Sequence, residues 1–170
     1  YVLREKLGNL GIETIAEDSN MSDILDKNGW DYSYSYKASR QLLSDKINKY
    51  KSLKYLIDIH RDSISKNAST TVINNKSYAK VLFVIGLDHD NWQSNYNFAS
   101  SLDKLLNDNY NGLSRGILKK TGPNVNGIYN QDLNDHTILI EVGGVDNTIE
   151  EVYNTMDALS QVLVKYIKGE

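Results

Sequence analysis

Two strand-like runs in this 170-residue chain end in ionisable side chains. KYLIDIH (Lys54–His60) sets Asp58 and His60 two positions apart, so both point to the same face or rim of a strand. TILIEVGG (Thr137–Gly144) places Glu141 inside an apolar strand, just ahead of a glycine pair. A carboxylate there is costly to desolvate unless it is paired, metal-bound or protonated. Either residue alone fits a plain structural role, Glu141 accepting from a neighbouring loop and His60 satisfying a carbonyl. Both at strand ends, each followed by a polar loop, favour a site, because ligands of open α/β sheets gather beyond strand carboxyl ends. His89, in GLDHDNW after the strand VLFVIG, follows a carboxyl end too and is expected at the same rim. His136 precedes TILIEV and is expected on the surface at the opposite end of the sheet.

Several chemistries are excluded by what is absent. Without cysteine there is no Cys–His pair, and no G-x-S-x-G elbow or H-E-x-x-H helix occurs. HRDSISKN (His60–Asn67) matches the spacing of a protein-kinase catalytic loop. The Gly-rich phosphate loop, the strand lysine and the D-F-G that phosphoryl transfer also needs are missing, so the match is coincidental. A zinc site built from dispersed residues stays open, since catalytic zinc takes three protein ligands and leaves a place for water.

The elements that must hold these residues alternate in period. Leu3, Leu7 and Leu10 mark a helix; Ile12–Ala16 reads as a strand; Leu42, Leu43 and Ile47 give a helix over Ser39–Tyr50. Thr70–Ile73 and Lys80–Ile85 read as a hairpin across an Asn-Asn-Lys turn. A helix through Phe98–Leu106, a strand at Ser114–Leu118, the strand Thr137–Val142 and a C-terminal helix follow. Thr148 with Glu151 forms a capping-box pattern ahead of that last helix. The expectation is an α/β fold: a mixed, mostly parallel sheet flanked by helices, with the hairpin supplying the antiparallel part.

Size and charge bound the rest. One domain over residues 1–170 is expected, large enough to bury a core without disulfide or metal. A net charge of −3 with no Lys/Arg block argues against a nucleic-acid partner. The longest apolar run, Val81–Leu87, is far below the roughly 18 residues of a membrane span.

KYLIDIHRDS (Lys54–Ser63), AKVLFVIGLDHDNWQSNYNFA (Ala79–Ala99), GLSRGI (Gly112–Ile117), YNQDL (Tyr129–Leu133) and LIEVGGVDNTIEE (Leu139–Glu151) together resemble the stage II sporulation protein P family. The similarity runs from about Leu3 to Lys165. The resemblance implies a zinc-dependent N-acetylmuramoyl-L-alanine amidase of the amidase-3 group. Such an enzyme is a peptidoglycan hydrolase that cleaves the amide between N-acetylmuramic acid and the first L-alanine of the stem peptide. On this resemblance His60 is a zinc ligand and Glu141 the catalytic general base and acid. Arg61, Asp62, His89, Arg115 and Asn130 fall in family-like segments and are expected to bind substrate or support the ligand shell.

The resemblance also implies two further zinc ligands, a His and a Glu, on a first strand ahead of the Leu3–Leu10 helix. The sequence starts inside that helix, so the expectation is the C-terminal portion of the family domain, with its first strand missing, its zinc site incomplete, and strong zinc binding and amidase activity lacking. The implied setting is extracytoplasmic and membrane-associated at the sporulation septum, with stage II sporulation proteins D and M as partners. Two alternatives belong beside this reading: a catalytically silent peptidoglycan-binding scaffold, and a zinc peptidase acting on stem peptides.

Overall fold

The computed structural model describes residues 1–169. Four strands form the main sheet: β1 (Leu56–His60), β4 (Val81–Gly86), β5 (Ser114–Lys120) and β6 (Thr137–Val142), in the order β1-β6-β4-β5. β1 runs parallel to β6 and β5 parallel to β4, while β4 and β6 are antiparallel. The sheet is therefore mixed and mostly parallel, as expected, but for a different reason. β2 (Thr70–Ile73) pairs with β3 (Lys76–Ala79) in a separate two-stranded sheet. Asn74 and Asn75 both take positive φ, 50° and 63°, which suits a two-residue hairpin turn and closes the pairing at Ile73 and Lys76. That turn uses Lys76–Ala79 as the return strand and leaves Val81–Gly86 free for the main sheet.

Helices α1 (Val2–Asn9), α5 (Trp92–Asn109) and α6 (Ile149–Lys168) bury their apolar stripes against one sheet face. Phe83, Ile85, Ile138, Ile140 and Val142 meet Leu3, Leu7, Phe98, Leu102, Leu159 and Leu163 there. The two-residue period of β6 turns Thr137, Leu139 and Glu141 to the other face. α3 (Ser35–Lys49) approaches that second face through its N-terminal turn, preceded by α2 (Met21–Asn28) and a 3-10 turn at Tyr32–Tyr34. A short helix, α4 (Lys66–Ser69), leads into β2.

Ile12–Ala16 is not a strand. Its residues alternate in burial as a strand does, but no neighbouring chain completes a ladder. α6 starts as the sequence indicates: Thr148 Oγ1 accepts from the Glu151 N–H while the Glu151 carboxylate accepts from the Thr148 N–H.

Candidate functional site

Parallel pairing of β1 with β6 sets His60 directly opposite Glu141, and Asp58 opposite Leu139. The two-residue period then puts Asp58, His60 and Glu141 on one face, the face away from the α5–α6 core. His60 Nε2 lies 3.0 Å from Asp58 Oδ1. That contact raises the His60 pKa against the opposing effect of burial, and the charges of Asp58 and Glu141 add to it. Glu141 is also pushed up, first by burial and further by the charges of Asp62 and Asp58, with His60 and Arg115 pulling it back. Its Oε2 is buried with no hydrogen-bond partner among the described residues. An acid held partly towards neutrality, with one oxygen free, is suited to exchanging a proton with a ligand.

The exit ends of the two strands are tied together around this group. The Asp62 N–H donates to the Gly143 carbonyl at 3.1 Å and continues the ladder past His60. Arg115 Nη1, on β5, donates to Asp62 Oδ2 at 2.7 Å, which brings a guanidinium to the same face. Gly144 is needed for close approach: a Cβ there would stand 2.2 Å from the Ile64 carbonyl oxygen. Larger residues would push the loop after β6 away from the loop after β1.

Two tyrosines wall the site, and sequence reading alone did not find them. Tyr36, in the first turn of α3, lies parallel to the His60 ring at 6.4 Å and meets Tyr129 edge-on at 5.3 Å. Burial, and after it the charge of Asp58, raises the Tyr36 pKa well above the ordinary phenol value. Tyr129 is raised by burial and by the charges of Asp88 and Glu141. The signal in the sequence is the tyrosine-rich DYSYSY (Asp31–Tyr36), whose local bias does not single out Tyr36. Tyr129 and Asn130 are consecutive left-handed residues, with φ of 52° and 56°. Each such conformation costs on the order of 1 kcal/mol for a residue with a side chain. Asn126 Oδ1 offsets it by accepting from the Ile128 and Tyr129 N–H groups.

Of the residues expected at the site, His60, Glu141 and Arg115 converge with Asp58 and Asp62. The other three do not. Asn130 is only 6% exposed and turns inward, donating from Nδ2 to the Tyr36 carbonyl and to Ser39 Oγ. It fixes α3, beside the bidentate Arg40–Asp132 pair, instead of reaching solvent where substrate would lie. His89 follows the carboxyl end of β4, but β4 is antiparallel to β6, so that end sits beside the entry of β6. It is therefore at the far end of the sheet from His60, with both ring nitrogens buried and unpartnered among the described residues and its pKa lowered by burial. Arg61 is exposed, and strand alternation turns it away from the His60 face. His136 belongs to an aromatic cluster with Tyr55, Phe98 and Tyr166 rather than to open surface.

The donor chemistry of this face does not fit a complete zinc centre. It offers one imidazole, already engaged by Asp58, and among the described residues no three His, Cys, Asp or Glu side chains are placed to hold a metal ion. A catalytic zinc takes three protein donors.

Comparison with known proteins adds the following. The sequence model described as "Stage II sporulation protein P (SpoIIP)" matches residues 1–164. The stage II sporulation protein P of Bacillus subtilis (strain 168) is 42% identical over 158 residues, covering 93% of this chain. The chain spans about 39% of that relative's length. No solved structure matches.

Proposed function

This chain belongs to the stage II sporulation protein P family, and from that premise we propose that it is a peptidoglycan hydrolase acting on the amide between N-acetylmuramic acid and the L-alanine of the stem peptide. The family ties the chain to sporulation. The observation that carries the chemical reading is Glu141: a carboxylate on the open sheet face, raised in pKa by burial, with Oε2 free of any partner among the described residues.

Glu141 takes a proton from water as the water oxygen bonds to the amide carbonyl carbon. It returns that proton to the alanine nitrogen as the C–N bond breaks, leaving a lactyl carboxylate and a free α-amine. A raised pKa serves both transfers, because the group must accept and release within one cycle. Asp58 orients the His60 ring, and Asp62 holds Arg115 as a fixed positive charge beside developing anionic oxygen. Zinc enters the proposal through His60, the one imidazole on this face; a complete centre takes two more donors than His60 alone provides. The setting proposed is the cell-wall side of the membrane at the sporulation septum, with stage II sporulation proteins D and M as partners.

The experiment is to incubate the chain with purified peptidoglycan, with and without zinc, and identify the new termini by mass spectrometry. Free L-alanine amines on released stem peptides, lost in Glu141→Gln, support the amidase. Termini inside the stem peptide identify a peptidase instead. Sedimentation with peptidoglycan but no new termini identifies a silent binding domain.

A further inference from the structure

The unused hydrogen-bonding capacity on this face is of two complementary kinds. Glu141 Oε2 is an acceptor without a partner, and the Tyr36 hydroxyl makes no hydrogen bond among the described residues. Both groups flank His60: the Tyr36 ring lies parallel to its imidazole at 6.4 Å, and Glu141 stands opposite it across the β1–β6 pairing. A phenol is neutral at working pH and is therefore a donor there. An amide presents the matching pair, a carbonyl oxygen that accepts and a nitrogen that donates or takes a proton.

The fold fixes Tyr36 from three sides. Its ring is held between His60 and Tyr129. Its backbone carbonyl is gripped by Asn130 Nδ2 at 3.0 Å, and Asn130 is itself in a left-handed conformation. One turn on, Arg40 is clamped to Asp132 by two bonds of 2.8 and 2.7 Å. A strained loop and a bidentate ion pair thus converge on the first turn of α3, from which Tyr36 stacks on His60.

We infer that Tyr36 is a catalytic residue of this site, its hydroxyl donating to the carbonyl oxygen of the scissile amide while Glu141 serves the water and then the amide nitrogen. The inference rests on the amide-hydrolase reading above and deepens it. As water adds to the carbonyl carbon, the C=O electron pair moves onto oxygen, and the Tyr36 O–H stabilises that oxygen without giving up its proton. When the C–N bond breaks the pair returns to the carbonyl, and the nitrogen leaves with the proton from Glu141.

The variant that isolates the claim is Tyr36→Phe, which keeps the ring against His60 and Tyr129 and removes only the hydroxyl. Turnover of soluble muropeptides is compared for wild type and Y36F, with melting temperature as a check on folding. Loss of one donor to a developing oxyanion lowers kcat by roughly 100-fold, with KM within about 3-fold of wild type. A kcat within about 3-fold of wild type overturns the assignment. Binding of N-acetylmuramoyl-L-alanyl-D-isoglutamine, followed by calorimetry, separates this claim from the reading it rests on. If wild type binds that probe without cleaving any amide, the hydrolase reading fails; weaker binding by Y36F, by about 5-fold or more, then still supports the Tyr36 contact. Equal binding by wild type and Y36F overturns that contact, and absence of both cleavage and binding in wild type overturns both claims.

Discussion

Glu141 and Glu151 stand ten residues apart in the stretch LIEVGGVDNTIEE, the first part-buried and the second buried, and the fold treats them in opposite ways. Glu151 is 5% exposed and surrounded by donors: Asn147 Nδ2, the Thr148 N–H, Ser77 Oγ and Lys66 Nζ. Burial alone would raise its pKa; those partners outweigh burial and hold it at about 2. Glu141 is less buried, yet burial prevails there and one oxygen is left without a partner. Burial therefore does not by itself separate a structural acid from a functional one. The count of donors aimed at each oxygen does. Glu151 joins the α6 terminus to the β2–β3 hairpin, whereas Glu141 keeps one buried oxygen without a partner among the described residues.

That contrast can be broken at either end. The largest effect is expected from Glu141→Gln: cleavage of peptidoglycan falls by about 10²- to 10⁴-fold, while thermal stability at pH 7 rises slightly because a desolvated charge is gone. A destabilised E141Q would instead make Glu141 a structural acid like Glu151. Next is Gly144→Ala, whose methyl meets the Ile64 carbonyl at 2.2 Å. Denaturant unfolding should show a loss of about 3 kcal/mol, and any loss of cleavage should exceed the loss of folded protein because the two strand exits separate.

Glu151→Gln should cost about 2 kcal/mol at pH 7, since it weakens several bonds to a buried carboxylate. Cleavage per folded molecule should be unchanged. The effect depends on pH in a defined direction. A folded pKa of about 2, below the ordinary 4.5, stabilises the fold above pH 4.5, and that stability is lost as pH falls towards 2. Melting curves of wild type should decline across this window and those of E151Q should decline less. The smallest effect is Thr148→Ala, about 1 kcal/mol for loss of a helix N-cap, with no change in cleavage.

How much of this is legible in the sequence follows from the range of each interaction. α5, α6 and the strands β1, β4, β5 and β6 announce themselves through apolar period over five or more residues. So does the capping box, a purely local pattern. α2 has one buried residue, Leu25, and leaves almost no periodic trace. Pairing partners and strand direction are non-local. The run TTVINNKSYAKVLFVI holds three strands where period alone suggests two, and only the Asn74-Asn75 turn decides which pair. The direction of β4 relative to β6 removes His89 from the site, and no spacing in the sequence records it. His60 and Glu141 could be read because each lies at a strand's end within a family-like segment. Tyr36 could not, because its approach depends on how α3 is clamped by residues some 90 positions away, Asn130 at |i−j| of 94 and Asp132 against Arg40 at 92.

The contrast between the two acids is tested most directly by one titration. With ¹³C-labelled glutamate and the side-chain carboxyl resonances of Glu141 and Glu151 assigned through E141Q and E151Q, a single pH series by nuclear magnetic resonance reads both groups in the same folded protein. The account predicts that Glu141 takes up its proton above pH 4.5 and that Glu151 stays ionised down to about pH 2. Glu141 titrating at or below 4.5, or Glu151 titrating above Glu141, would contradict it.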